Sequence, residues 1–149
     1  MRYRLYQPAD LAQIHALEEV CFSPPLRFSR EYMKQLVSRV KAATWVAEED
    51  GTLAGFASAG WKKSRSGSVA YIETIEVSAS SRGKGIGREL LRRVEGSAAK
   101  AGAASIWLHV DAGNPGAIRL YESQGYQLEG SMQDFYPDGH PALVYSKQL

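Results

Sequence analysis

The sequence has little of three features: cysteine, long apolar runs and an excess of one charge. Cys21 is the only cysteine among 149 residues, so neither a disulfide within the chain nor a cysteine-built zinc cage can form. No stretch approaches the ~18 apolar residues of a membrane-spanning helix. The first residues also lack the apolar run of a secretory signal. We therefore expect a protein of the reducing cytoplasm with no membrane association.

The charges nearly cancel, since 18 Lys and Arg stand against 16 Asp and Glu, for a net charge of +2. A dedicated nucleic-acid binder would carry a strongly basic footprint, so nucleic acid is not expected as a partner. Apolar residues make up 44% of the chain and charged residues 23%, which is ordinary for a globular protein. Without repeats or linkers, this length suits a single domain, 1–149.

The N-terminal half changes hydrophobic period twice. Residues 2–7 alternate like a strand, and Asp10 with Gln13 predicts a capping box at the start of a helix. Ser29 is the predicted N-cap of a second helix, whose apolar face includes Val40. Three strands joined by short turns follow, at Thr44–Glu49, Leu53–Lys63 and Val69–Val77, with turns at Asp50-Gly51 and 64–68.

The second half alternates helices and strands. We predict a helix from about Gly85 to Lys100, a strand at Ser105–Val110, and a helix to Gln124 that Asn114 caps. Two final strands flank the turn at Pro137-Asp138-Gly139. The strand–helix–strand unit in the middle implies one parallel pair. The expected fold is therefore α/β, a mixed, mostly antiparallel sheet with helices on both faces.

The most informative segment is the glycine-rich turn Arg82-Gly83-Lys84-Gly85-Ile86-Gly87-Arg88, which leads from a strand into a helix. The first backbone NH groups of a helix have no partner within it, and glycines let a ligand approach them closely. The helix dipole and the cations of Arg82, Lys84 and Arg88 favour negative charge there. This pattern predicts an anion site that suits a pyrophosphate.

Two common phosphate loops fit this segment poorly. A Walker loop needs Gly-Lys followed by Ser or Thr, but Gly85 follows Lys84. In a dinucleotide fingerprint the third glycine comes one residue later than Gly87 does. That fingerprint also belongs to the first unit of an all-parallel sheet, whereas this turn follows antiparallel strands.

Two motifs resemble those of a known family. Arg82-x-x-Gly85-x-Gly87 resembles the acetyl-CoA pyrophosphate motif, Arg/Gln-x-x-Gly-x-Gly/Ala, of the GNAT superfamily of N-acetyltransferases. The segment from Asn114 to Tyr126 is similar to that family's Asn-x-x-Ala-Ile/Leu-x-Leu/Phe-Tyr-x-x-x-Gly-Phe/Tyr pattern. The predicted order of strands and helices is also the family's. The resemblance covers essentially the whole chain and implies the acyl-CoA N-acyltransferase fold.

The resemblance also implies where acetyl-CoA would lie, with no metal required. The backbone of Ile75, Glu76 and Val77 would pair with the pantetheine arm, which Asn114 would contact. The backbone of the turn would hold the pyrophosphate, with Arg82 nearby, through Gly83, Lys84, Gly85, Ile86, Gly87 and Arg88. Tyr121 would place its hydroxyl near the thioester sulfur. Because a departing thiolate needs a proton, a phenol at that position can act as a general acid.

The acceptor amine must lose a proton, and His109, Tyr71 and Glu73 are the candidate bases. An α-amine has a reference pKa of ~8, against ~10.4 for a lysine, so a weak base or a water relay suffices for it. Tyr71 and Glu73 share a strand face by their spacing, and His109 lies on the neighbouring strand. Tyr71 and His109 resemble the tyrosine–histidine pair of one eukaryotic branch of protein N-terminal acetyltransferases. The bacterial ribosomal-protein-alanine acetyltransferases usually carry Glu at the position of His109.

Two further segments resemble the substrate mouth of protein N-terminal acetyltransferases. Phe22 and Pro25 lie in a loop similar to the one that joins their first helices, and Tyr136 lies in a segment similar to their hairpin. Cys21, at helical spacing from Leu17, is expected in the core. The sequence thus predicts an acetyl-CoA-dependent N-acetyltransferase for a protein N-terminal α-amine, of the ribosomal-protein-alanine type.

Two alternatives stay open at this point. One is acetylation of a small amine, such as a polyamine, an amino acid or an aminoglycoside. The other is a domain that senses acyl-CoA without catalysis, against which the presence of Tyr121 argues. The sequence leaves the oligomeric state undetermined.

Overall fold

The computed structural model describes residues 1–65 and 67–149. The strands are β1 (Arg2–Leu5), β2 (Ala42–Glu49), β3 (Thr52–Ser64), β4 (Gly67–Val77), β5 (Ala103–Asp111), β6 (Gln127–Met132) and β7 (Ala142–Gln148). The helices are α1 (Leu11–Cys21), α2 (Arg30–Val37), α3 (Ile86–Lys100) and α4 (Pro115–Ser123). This order confirms the predicted sequence of elements. The turn predicted at 64–68 includes residue 66, which lies outside the described residues.

The strands form one seven-stranded sheet in the order β1-β2-β3-β4-β5-β7-β6. Only β4 and β5 pair in parallel among the described strands, because α3 crosses between them. Side chains of α1 and α2 pack against one face, in a cluster of Ile14, Leu17, Met33, Val46, Leu53 and Phe56. Side chains of α3 pack against the other, with Leu90, Leu91, Val94, Ala57, Ile72 and Ile106 in that cluster. The predicted mixed sheet with helices on both faces is confirmed.

The parallel pair β4–β5 separates partway along its length. Its pairing stops at Tyr71 and Trp107, although β4 continues to Val77 and β5 to Asp111. Beyond this point β5 stays paired with β7, up to Asp111 opposite Ala142. The edge of β4 that faces β5 therefore carries backbone groups without a strand partner among the described residues. Such an edge can accept an extended ligand.

A β-bulge in β4 changes which side chains share a face. The register with β3 shifts there and leaves Glu73 as the extra residue. Tyr71 lies opposite Gly60 and Glu76 lies opposite Phe56, so both point to the face covered by α1 and α2. An unbroken period of two would have placed Tyr71 and Glu76 on opposite faces.

Two details predicted for the N-terminal half are wrong. Asp10 makes no side-chain cap on α1, because its carboxylate accepts hydrogen bonds from the Arg4 guanidinium at 2.8 and 2.9 Å. Gln13 instead bonds to the backbone of β3. Val40 is not on the apolar face of α2, since the helix ends three residues earlier and Val40 is 96% exposed. No helix among the described residues is long and apolar enough to cross a membrane.

Candidate active site

A groove of about 960 Å³ follows the splayed edge of β4 to the start of α3 and along α4. Its lining includes every residue predicted to bind the cofactor except Lys84, which lies exposed in the turn. The two sequence motifs, which are separated by α3 and β5 in the chain, therefore face the same groove. Sequence reasoning missed Arg119 and Ser123 of α4, because the motif leaves both of these positions unspecified.

The glycine-rich turn is held in a conformation that suits close approach to the backbone. Gly83 and Gly85 have φ values of 78° and 80°, in the left-handed region that glycine favours. Gly87 lies in the first turn of α3, where an added Cβ would lie 3.5 Å from Leu120. The free amide groups at the start of the helix and the nearby Arg88 make this end of the groove favourable for an anion.

Arg82 and Cys21 meet at the other side of this end. The Arg82 Nε donates to the Val77 carbonyl at 3.1 Å, and the Arg82 guanidinium lies 3.8 Å from the Cys21 sulfur. Cys21 is half-buried and lines the groove, so its predicted place in the core is wrong. It ends α1 above the last residues of β4, where the sheet gives way to the groove.

Tyr121 and Asn114 are positioned by α4. The Asn114 side chain accepts a hydrogen bond from the Ala117 amide at 3.2 Å, so it caps the helix as predicted and also lines the groove. Tyr121 is only 7% exposed and packs edge-on against Tyr126. Burial raises the pKa of Tyr121 above the usual range of a phenol, so the hydroxyl keeps its proton at neutral pH.

Tyr71 and His109 meet where β4 and β5 begin to separate. The Tyr71 hydroxyl lies 2.6 Å from Nδ1 of His109. Burial raises the pKa of Tyr71 and lowers the pKa of His109, so both groups are neutral near pH 7. The His109 Nε2 lies 3.3 Å from the Met132 sulfur, which can only accept a hydrogen bond. The proton therefore belongs on Nε2, and Nδ1 accepts from the Tyr71 hydroxyl.

The β6–β7 loop covers this pair. The Phe135 ring stacks on His109 with centroids 4.4 Å apart and planes 5° from parallel, and Tyr136 packs edge-on against Phe135. Burial raises the pKa of Tyr136 to about 12. A hydrogen bond of 3.0 Å between His140 Nδ1 and Asp111 ties the loop to β5. Sequence reasoning placed Tyr136 at the mouth but missed the contact of Phe135 with His109.

The other predicted substrate residues are more dispersed. Phe22 follows α1 and lines the groove, whereas Pro25 is exposed in the loop between α1 and α2. Glu73 lies outside the groove, and its carboxylate receives a hydrogen bond of 3.0 Å from Arg39. Glu73 and Tyr71 line a second cavity of about 490 Å³. Among the described residues, Asp111, Asp138 and His140 form a group of possible metal ligands, and within it Nδ1 of His140 is hydrogen-bonded to Asp111.

Two carboxyl groups are buried between α1 and β4. Glu18 is 1% exposed and accepts from the Phe28 amide at 3.0 Å, while Glu76 is 3% exposed and accepts from Thr74 at 2.9 Å. Each keeps one oxygen without a hydrogen-bond partner among the described residues. Burial, and then the neighbouring Glu18 carboxyl group, raises the pKa of Glu76 well above its usual range. Glu76 therefore keeps its proton at neutral pH.

Comparison with known proteins assigns the family. The model of the acetyltransferase (GNAT) family matches residues 11–126. The chain therefore belongs to the acetyltransferase (GNAT) family. This confirms the family that the two sequence motifs indicated.

Individual relatives differ in what they act on. Streptothricin acetyltransferase of Streptomyces lavendulae is 42% identical over 101 residues, which cover 65% of this chain and 52% of that protein. The ribosomal protein bS18-alanine N-acetyltransferase of Escherichia coli K12 is 41% identical over 54 residues, or 36% of each chain. The chain thus spans about half the length, or less, of these relatives. The structure of Arabidopsis thaliana Naa50 with a bisubstrate analogue superposes with a TM-score of 0.84 at 27% identity, covering 99% of this chain and 98% of that one.

Proposed function

We propose that this protein transfers the acetyl group of acetyl-CoA to a primary amine, and that this amine is the N-terminal α-amine of a protein. The observation that carries the proposal is the Tyr71–His109 hydrogen bond of 2.6 Å at the point where β4 and β5 separate. Both groups are neutral there, as a proton-accepting pair must be. The whole-chain likeness to Arabidopsis thaliana Naa50 in complex with the bisubstrate analogue CoA-Ac-MVNAL, which includes a peptide, supports the same acceptor class.

Groups that can bind acetyl-CoA line the groove along its length. When bound, acetyl-CoA supplies an activated acetyl thioester. The amides from Gly83 to Arg88 would hold the pyrophosphate, because they are the free donors at the start of a helix. The unpaired edge of β4 at 75–77 would hydrogen-bond the pantetheine arm, and Asn114 and Tyr121 would line the opposite wall.

The reaction moves two protons, one away from the acceptor amine and one to the departing thiolate, and different residues carry out the two transfers. The Tyr71 oxygen accepts the proton of the acceptor amine through a water molecule while its own proton moves to Nδ1 of His109. Because His109 has a lowered pKa, it is a weak base that suits an α-amine of pKa ~8 better than a lysine of ~10.4. Tyr121, kept protonated by its burial, would donate to the departing thiolate.

A small amine is the second candidate acceptor. The observation in its favour is the 42% identity to streptothricin acetyltransferase, over a longer segment than the match to the alanine enzyme. Glu73 is the alternative base for this reading, although its carboxylate is bound to Arg39.

A peptide array with acetyl-CoA tests the proposal. Peptides with free N-termini are compared with N-terminally blocked peptides that carry an internal Lys, and with a panel of polyamines, amino acids and aminoglycosides. Acetylation of free N-termini but not of internal Lys is the expected result. Turnover of small amines alone would replace the proposed acceptor with the second candidate.

A further inference from the structure

The cavity next to the hydrogen-bonded pair Tyr71 and His109 carries an excess of positive charge. It has a volume of about 490 Å³, and Tyr71 and Glu73 line it on β4. Arg39 and Lys41, after α2, and Lys62 of β3 supply three cations against the single carboxylate of Glu73. Arg39 pairs with that carboxylate, while neither lysine has an ion-pair partner among residues 1–65 and 67–149.

The backbone holds these cations over one face of the sheet. The Lys41 carbonyl accepts from the Trp61 amide at 3.0 Å, which fixes the loop after α2 onto β3. A Cβ on Gly60 would lie 3.5 Å from the Lys41 carbonyl and 3.8 Å from the Arg39 guanidinium, so the glycine leaves room for both. Gly60 lies opposite Tyr71, and Lys62 lies opposite Val69, two residues further along the same face.

This arrangement selects against some acceptors and for others. An acceptor amine must approach Tyr71, so the rest of the acceptor that enters this cavity meets an excess of two positive charges. A second ammonium group, as in a polyamine or an aminoglycoside, is repelled there, and a carboxylate is attracted. Two residues along a strand span ~7 Å, and an extended peptide advances ~3.3–3.6 Å per residue. The second or third residue of a peptide would therefore reach Lys62.

Resting on the proposed function, we infer that the acceptor is an amine that also carries a carboxylate, held by Lys41 and Lys62 of this cavity. Two sources share that chemistry. One is an Asp or Glu at the second or third position of a protein N-terminus, and the other is the α-carboxylate of a free amino acid.

The test measures kcat/KM with acetyl-CoA for matched peptides with Asp-Glu, Ser-Ser or Lys-Lys after the first residue, and for free amino acids and spermidine. We expect the acidic peptide to exceed the basic one by about tenfold, less at high salt. Lys62→Glu should reverse this preference. Lys63→Glu, the same charge change one residue on and facing the opposite side of β3, should leave the preference intact.

Each outcome decides the inference. Turnover confined to acidic peptides assigns the carboxylate to a side chain and supports the inference. Turnover of free amino acids alone assigns it to the α-carboxylate, which supports the inference but replaces the protein N-terminus with the second candidate acceptor. Equal rates on acidic and basic peptides, unchanged in Lys62→Glu, overturn the inference and leave the proposed function standing. A preference for spermidine overturns the inference together with the proposed α-amine acceptor, and acetylation of nothing in the panel overturns both as well.

Discussion

The His109 side chain is contacted on three sides, and these contacts fix the orientation of the ring at the point where β4 and β5 separate. Tyr71 contacts Nδ1, the Met132 sulfur contacts Nε2, and the Phe135 ring covers the face. The thioether is a poor partner for a charged imidazolium, and burial lowers the pKa of His109. The ring is thereby kept neutral and in one tautomer, with its accepting nitrogen toward Tyr71.

Removing the imidazole should change the pH dependence of the reaction. His109→Ala is expected to lower kcat/KM at pH 7 by about 10²-fold, the lower end for loss of a general base. Activity should recover in part by about pH 9, because an α-amine deprotonates unaided near pH 8. A pH–rate profile measures this, and Tyr71→Phe should add little in the double mutant if the two residues form one relay. A profile of unchanged shape would move the base to Glu73.

Tyr121 is expected to matter for rate and little for stability. Tyr121→Phe keeps the ring and its packing on Tyr126 and removes only the hydroxyl. Turnover should fall ~10²–10⁴-fold if that hydroxyl protonates the leaving thiolate. The rate is measured from the release of free CoA thiol. The melting temperature and the affinity for acetyl-CoA serve as controls, and both should change little. Turnover within a few-fold of the parent would mean that the ring only packs.

At the scale of elements, α1 and β4 each contribute a buried carboxyl group to the space between them. Glu18 of α1 and Glu76 of β4 each leave an oxygen without a partner among the described residues, and Glu18 also accepts from the Phe28 amide of the loop that leads to α2. These contacts place two buried carboxyl groups between α1, the loop that leads to α2, and the strand that borders the groove. Like charges this close cannot both ionise cheaply in a buried site.

The raised pKa of Glu76 should make the stability of the fold decrease as pH rises. The folded pKa of Glu76 lies above the unfolded value of ~4.3, so between these values the folded state binds the extra proton. The free energy of unfolding is then greatest below the unfolded pKa, and it declines as pH rises, by at most ~1.4 kcal/mol per pH unit. Glu76→Gln cannot ionise and should flatten this decline between pH 5 and pH 9.

Denaturant unfolding at several pH values checks this. The readout is the difference between each variant and the parent, because all other ionisable groups are common to them. Glu31→Gln, an exposed carboxylate on α2, serves as the matched control and should run parallel to the parent. Parallel profiles for Glu76→Gln and the parent would show that Glu76 does not keep its proton in the folded state.

At the scale of the whole molecule, the groove joins β4, α3 and α4, so a ligand bound there should stabilise the fold as a unit. Acetyl-CoA at 100 times its Kd should add ~2.7 kcal/mol to the free energy of unfolding, or roughly 5–10 °C in Tm for a chain of this size. Gly85→Val should abolish this shift, because the side chain would stand where the phosphate approaches the amides. Thermal melts with and without acetyl-CoA measure it.

The control for backbone strain is Gly102→Val. Gly102 has φ of 97°, comparable to the 80° of Gly85, but follows α3 at its far end and outside the groove. Both variants should melt below the parent, yet only Gly85→Val should lose the response to acetyl-CoA. An undiminished shift in folded Gly85→Val would remove the pyrophosphate from this turn.

Most of the fold could be predicted from local features of the sequence. The order of elements and the start of α4 at Asn114 could be predicted because caps, glycines and hydrophobic periods act within a few residues. The capping box at Asp10 failed because the Asp10 carboxylate accepts from the Arg4 guanidinium, which is also bound by Glu48 of β2, a residue far away in the chain.

The sequence by itself determined the family, through two motifs whose spacing is local, and the type of side chain present at each candidate position. Only the tertiary structure decided how those side chains meet. The splay of β4 from β5, the bulge at Glu73 that turns Glu76 toward α1, and the stacking of Phe135 on His109 all join segments far apart in the chain. The stability of each of these arrangements depends on packing and burial between different elements. A hydrophobic period or a helix cap within one segment therefore cannot predict them.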